Sequence, residues 1–365
     1  MQIEKAIQTA ENCRYCLMCR HIAPLEYITH SETLSPHGMG LLIASVERGQ
    51  LEWNQESVDV LYSDPDSGNS RAHCVTDQPL PAAIAAVRGE VVRKNLAPEI
   101  VYELNDSFKT WKTPFGKNLP ETNSVKGKDA LFVGDEAQYL WPESIPSVLK
   151  LLAALGIEPV LIGAGKNNGF MASSLGLFDR AKELANSILE ELAACGVERL
   201  FVLSPGDYFT FSQLYEERLD IPWPADIKVV EVIQFLADQY EEGNIKFRTK
   251  DEDVPYAYVD PTHAVRNPSR NNAPRKLLEG VFKGQKRELY WRCERAHPVG
   301  STALQFTKPE LAEKLTHSRM RDAQESGAHL LICEDPGTLS KLLEVVEGGE
   351  IRLKGMYELL AEQIE

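Results

Sequence analysis

Cys13, Cys16 and Cys19 form a C-x2-C-x2-C run, the densest set of soft ligands in the chain. Three thiolates at that spacing can wrap three corners of one small inorganic cluster, and they begin the iron–sulfur pattern C-x2-C-x2-C-x3-C-P. Four residues after Cys19, where the pattern asks for another Cys, the chain has Ala23, still followed by Pro24. A remote Cys must close the set, and Cys74 stands in register for it. Counting back from Cys74 by the same motif finds Asp64, Ser67 and Ser70 where a second run would carry its leading cysteines. In two-cluster arrangements the last Cys of each run ligates the other cluster. One ligand set, Cys13, Cys16, Cys19 and Cys74, therefore survives whole, and the other, Asp64, Ser67, Ser70 and Ala23, is erased whole. The pattern predicts one [4Fe–4S] cluster on the four cysteines as its metal ligands, and no second cluster.

Two rival chemistries use the same residues. Zinc is held by four thiolates, or by three and an imidazole from His21 or His73, but its ligands usually come as two separated pairs rather than a triplet. A disulfide framework belongs to short secreted chains, and this one has 365 residues and no secretion signal after Met1. A net charge of −15 disfavours nucleic acid and anionic membrane surfaces as partners. With no apolar run long enough to span a bilayer, the expected location is the cytoplasm.

Ile3, Ala6, Ile7 and Ala10 fall at helical spacing and would deliver the chain into the cysteine loop. Leu41, Leu42 and Val46 continue a helix opened near Ser35-Pro36, Val58 to Tyr62 mark another, and Ile84, Val87 and Val91 a third behind Pro79 and Pro81. Residues 1–104 thus read as a mostly helical, cluster-binding module. Residues 105–128, rich in Lys, Thr, Asn, Pro and Gly, read as a linker.

Beyond it the rhythm becomes strand, helix, strand. Short apolar runs at 130–133, 159–162, 200–203 and 228–230 alternate with helical patterns, and a second series follows at 256–259, 288–290 and 330–332. That alternation predicts an α/β fold with parallel, buried sheets. Gly169 and Gly300, Gly196 and Gly327, and Pro205 and Pro336 share one interval (300 − 169 = 327 − 196 = 336 − 205 = 131). Such register predicts two similar α/β lobes, at 129–252 and 253–365.

Together these features resemble the iron–sulfur subunits related to heterodisulfide reductase and to the glycolate oxidase iron–sulfur subunit. The resemblance runs through Ser35-Pro36-His37-Gly38, Thr113-Pro114-Phe115-Gly116 and Asp260-Pro261-Thr262-His263. It implies a ferredoxin-like module joined to two cysteine-rich domains whose C-C-G elements converge between the lobes. Here those elements read Asn167-Asn168-Gly169 and Pro298-Val299-Gly300, and the C-P-x-C elements read Ser204-Pro205-Gly206-Asp207 and Asp335-Pro336-Gly337-Thr338. Thr262 replaces the Cys of D-P-C-H. The fold is therefore expected without thiolate chemistry between the lobes, which leaves disulfide reduction without its ligands.

Cys195, Cys293 and Cys333 read as buried small hydrophobes. The loop Gly163 to Gly169 fits neither phosphate-binding fingerprint. His263 with Asp260 has the types of an acid–base pair, yet the motif offers no nucleophile, and a hydrogen-bonded turn histidine accounts for it. Arg14 and Arg20 flank the cysteines. The expected function is an electron-transfer subunit of an oxidoreductase complex, its partner by resemblance a flavoprotein dehydrogenase or oxidase, with a scaffold carrying a structural cluster as the alternative.

Overall fold

The computed structural model describes residues 3–116, 125–250, 254–346 and 351–365. The expected boundary between the lobes, at residues 252 and 253, falls outside them.

The N-terminal part is helical. α1 (Ile3–Glu11) buries Ala6 and Ala10, one turn apart, and small residues there allow close approach to a neighbouring helix. After the cysteine loop come α2 (Pro24–Thr29), α3 (Pro36–Glu47) and α4 (Gln55–Leu61). Ser35 caps α3 by accepting from the Gly38 N–H, and Pro36 pre-sets its first turn. Asn54 and Ser57 cap α4 reciprocally. α5 (Leu80–Arg93) buries Ile84, Val87 and Val91, the residues whose period marked it. α6 (Glu99–Trp111) corrects the boundary expected at residue 104. Val101, Leu104 and Phe108 form one buried stripe, so the helix continues two turns into the stretch that composition assigned to a linker.

The α/β expectation holds: the described residues form two four-stranded, wholly parallel sheets. The first contains β1 (Asp129–Phe132), β2 (Val160–Ile162), β3 (Arg199–Val202) and β4 (Lys228–Glu231) in the order β2-β1-β3-β4. The second contains β5 (Tyr256–Tyr258), β6 (Lys286–Arg287), β7 (Leu330–Cys333) and β8 (Arg352–Gly355) in the order β6-β5-β7-β8. The identical order makes the lobes copies of one topology. Gly169 (φ 91°) and Gly300 (φ 90°) sit at equivalent turns, and a side chain on either would collide with the backbone of Ala181 or Ala312, themselves equivalent. Ser204 and Asp335 each cap the helix that follows, α7 (Pro205–Phe209) and α8 (Pro336–Val345), with Pro at the first position of both.

One expected strand is misplaced. Residues 288–290 are not a strand, and β6 lies just before them. The N–H groups of Tyr290 and Trp291 donate instead to the Asp322 carboxylate, at 2.7 and 3.0 Å, which draws the chain out of the sheet. β8 has no apolar run that would mark it: its sequence, Arg-Leu-Lys-Gly, is half polar, as suits an edge.

Buried charges join the three parts. Asp66, in the helical part, accepts from Arg218 of the first lobe at 2.7 and 2.8 Å and from Arg266 of the second at 2.7 Å. The His263 ring stands 3.2 Å from the Asp66 carbonyl. Between the lobes Arg270 bridges Glu231 of the first and Glu334 of the second. Removing the Asp66 carboxylate deprives two buried cations of the anion they share, a loss of about 3–5 kcal/mol for a broken buried pair. Asp66→Ala is accordingly expected to lower the denaturation midpoint sharply, whereas Asp77→Ala, which removes an exposed pair with Arg71, should shift it little. Denaturant titration of both variants checks this.

Candidate functional site

Cys13, Cys19 and Cys74 come together from across the helical part. All three line one small, largely apolar pocket with Thr9 and Ala10 of α1, Pro36, His37 and Gly40 of α3, and Ser70, Gln78 and Leu80. Cys16 lies in the same loop but is exposed. Tyr15 and Leu17 adopt left-handed backbone (φ 50° and 63°), a conformation costing non-glycine residues about 1–2 kcal/mol. Backbone amides face the sulfurs: Tyr15 N–H donates to Cys13 Sγ at 3.4 Å and Gln78 N–H to Cys74 Sγ at 3.3 Å. Burial pushes the Cys19 thiol up to about 11, and the charge of Cys13 pushes the same way, while the backbone of His37 in the first turn of α3 pulls down. At Cys74 burial also pushes upward, but hydrogen bonds from Thr76 and Gln78 outweigh it and hold the thiol below its ordinary value. His37 Nδ1 is buried without a partner.

The expectation of a metal-binding group is corrected by this geometry. Among the described residues no three His, Cys, Asp or Glu side chains are gathered so as to hold a metal ion. Four thiolates on one zinc must each lie about 2.3 Å from a common point; here three line a pocket and Cys16 faces outward. His21 and His73 do not line the pocket either: their rings meet edge to face at 6.0 Å, and His73 contacts the Glu294 carbonyl.

The positions that lack cysteine also meet. Ala23, Asp64, Ser67 and Ser70 line a separate cavity of about 20 Å3 with Pro24, Leu25 and Pro65. The sequence register that grouped these four therefore reflects real proximity. Burial raises the Asp64 carboxyl to about 6, partly countered by Arg88, and Arg88 donates to the carbonyls of Asp64 and Ser174 at 2.9 and 2.7 Å.

A third site lies between the lobes, in a cavity of about 40 Å3. Sequence resemblance grouped Asn167, Ser204 and Thr262 here. Asn168, Asp207 and Asp335, which the same resemblance placed between the lobes, line it too, and the structure adds Asp135, Glu136 and Thr302. Asp135 and Glu136 were missed because they open the short helix Asp135–Leu140 after β1 with no motif; their position at the carboxyl end of a parallel strand, the usual ligand edge of such sheets, was the available signal. Asp207 accepts from Asn168 Nδ2 at 2.8 Å and from the Ser204 hydroxyl at 2.9 Å. Asp135 accepts from the Thr113 hydroxyl at 2.9 Å and from Asn167 Nδ2 at 3.2 Å. Burial pushes Asp207 up to about 7 and Asp135 up to about 6 against these bonds. Glu136 is raised well above the carboxylate range, first by burial and then by the charges of Asp335, Asp135 and Asp207.

The remaining candidates are occupied. Asp260 pairs with Arg275 at 2.7 Å, so it is not the partner of His263; burial drives the His263 imidazole down to about 3. Lys166 of the glycine loop pairs with Glu191 at 3.1 Å. Arg20 pairs with Glu26 and Glu32, both at 2.8 Å. Cys195 and Cys333 are buried as expected, at the end of the helix Phe178–Cys195 and of β7. Cys293 is only half-buried, on a left-handed backbone (φ 53°).

With this geometry in view, comparison adds a fold and no chemistry. No protein-family model matches the chain, and no curated protein does. Among solved structures, a hypothetical protein from Helicobacter pylori is similar over 94% of this chain and 71% of its own, with a TM-score of 0.60 at 11% identity. That likeness extends the α/β arrangement to a second protein and says nothing of activity. An aspartate racemase from Picrophilus torridus (TM-score 0.32, 10% identity, 64% of this chain and 91% of that one) and an aspartate racemase homologue from Pyrococcus horikoshii (0.26, 14%, 65% and 96%) are too distant to carry argument. Among the described residues no helix is long and apolar enough to cross a membrane.

The raised carboxyls between the lobes have a signed consequence. A carboxyl near 7 in the folded chain and about 3.9 in the unfolded one binds its proton more tightly when folded, so its stabilising contribution is complete below about pH 4 and is lost as pH rises through 7. Thermal unfolding followed from about pH 5 to about pH 8 should show a falling midpoint attributable in part to Asp207. Asp207→Asn, which keeps the shape and cannot ionise, should flatten that fall.

Proposed function

We propose that this chain is an electron-transfer subunit of an oxidoreductase complex, with a ferredoxin-like N-terminal module that holds one [4Fe–4S] cluster on Cys13, Cys16, Cys19 and Cys74. The observation that carries the reading is the meeting of Cys74 with Cys13 and Cys19 in one pocket, across more than fifty residues of intervening chain. The residues fit such a group in further ways. The Cys19 thiol is pushed up first by burial and then by the charges of Cys13 and Cys74, with no Lys or Arg among the pocket residues, and a polynuclear group spreads its ligands over its corners rather than gathering them on one ion. Amides of Tyr15 and Gln78 are already directed at the sulfurs, as suits thiolates that carry shared negative charge. When bound, the cluster supplies one-electron chemistry.

The chain's own residues then set access. Leu17, Met18 and Val75 are exposed apolar side chains beside ligand cysteines, with 40%, 43% and 69% of their surface in solvent. They form a rim on which a partner protein can exclude water while approaching the sulfurs. By sequence resemblance that partner is a flavoprotein dehydrogenase or oxidase, whose flavin would divide a two-electron oxidation into single electrons.

Anaerobically purified protein is expected to contain iron and acid-labile sulfide at about four each per chain. Cys74→Ser should reduce both as severely as Cys16→Ser, while Cys195→Ala should leave both unchanged. Zinc in place of iron, or full iron content in Cys74→Ser, would refute the assignment. Redox titration followed by EPR tests the transfer role, since a group irreducible at physiological potentials would serve structure alone.

A further inference from the structure

The inter-lobe cavity has the composition of a binding site rather than of a collapsed remnant. Four carboxyl groups line it from both lobes: Asp135, Glu136 and Asp207 from the first and Asp335 from the second. Three are engaged by neighbours: Asp135 and Asp207 as described, and Asp335 by the Thr338 N–H at 2.7 Å. The Glu136 carboxylate has no hydrogen-bond or ion-pair partner among the described residues and keeps part of its surface in solvent, which marks the mouth. His263, the sole basic side chain of the lining, is held neutral by burial. The cavity therefore presents four acidic groups with no Lys or Arg to meet them.

An independent observation points to a ligand. Thr262 and Thr302 line the same cavity at 3% and 4% exposure, and the hydroxyl of neither has a hydrogen-bond partner. Leaving a buried hydroxyl unpaired costs free energy, and both oxygens have lone pairs able to accept N–H groups. Phe132 and Phe170 give the wall an apolar part, which suits an alkyl stem. A bare metal ion does not fit, because no three of the acidic side chains are gathered on one point. A cation with several N–H donors, broad enough to reach separated oxygens, does.

We propose that this cavity binds the primary ammonium group of a small organic amine, with Glu136 as its counter-ion and the hydroxyls of Thr262 and Thr302 as acceptors. The volume, about 40 Å3, admits a head group with a short stem. This site is independent of the reading of the cysteines.

Isothermal titration calorimetry of the full chain with ethylammonium chloride near pH 8, above the values to which burial raises Asp135 and Asp207, tests the assignment. Ethylammonium should bind saturably at one site per chain. Glu136→Gln, which alters no hydrogen bond within the protein, and Thr302→Val should each weaken it by about tenfold or more. Tetramethylammonium, equal in charge but without N–H donors, should not compete. The proposal is overturned if ethylammonium gives no heat beyond that of sodium chloride, if tetramethylammonium or magnesium binds as well, or if Glu136→Gln binds undiminished. Circular dichroism of the variants confirms that each has folded.

Discussion

Asp66 is the constraint around which the molecule is arranged. Its single carboxylate satisfies Arg218 of one lobe and Arg266 of the other, and its backbone oxygen meets both Arg266 and His263. Those arginines are 3% and about a tenth exposed or less, so neither has water as an alternative partner. Burying such charges is costly, and the geometry offsets the cost only when all three parts of the chain are in place together. The neighbouring Arg88 works in the same way, tying the helical part to the first lobe through carbonyl oxygens. The position of the loop carrying Asp64 to Cys74 is thus dictated by both lobes.

That dependence links the two sites. The loop fixed by Asp66 continues through Ser70 to Cys74, so the anchoring that assembles the lobes also delivers the fourth sulfur to Cys13 and Cys19. His263 lines the inter-lobe cavity on one side and touches Asp66 on the other. The cysteine pocket and the acidic cavity therefore share one rigid support, built from buried ion pairs whose distances leave little slack. The same rigidity holds open a space that no cysteine lines. At Ala23, Asp64, Ser67 and Ser70 a small cavity remains because the surrounding turns are held elsewhere.

The duplicated lobes preserve backbone geometry where side-chain chemistry has diverged. Gly169 and Gly300 are needed because the chain must turn left-handed against a helix with no room for a Cβ. Ser204 and Asp335 remain because a side-chain oxygen must cap the helix that follows. Between these fixed points carboxylates, amides and hydroxyls occupy the wall; burial first, and then repulsion among the carboxylates, raises the carboxyl pKa values there, against the hydrogen bonds of Ser204 and Asn168.

Local signals were legible in the sequence because they depend on near neighbours alone. The helix of Ile84, Val87 and Val91, the parallel strands, the repeat at an interval of 131 and the meeting of Cys13 with Cys19 all follow from periodicity and spacing. The register that joined Cys74 to Cys13 and Cys19, and Ala23 to Asp64, was also readable, since the spacing of one motif copy fixes the positions of the other. Tertiary structure alone decided the rest. The extension of α6 to Trp111 depends on a core that receives Phe108. The loss of a strand at 288–290 depends on Asp322, more than thirty residues away. Glu136 became a candidate because folding set it opposite Asp335 of the other lobe without a cation between them. Spacing along a chain encodes which residues share a turn or a face; which charges end up buried together is set by the packing of elements distant in sequence.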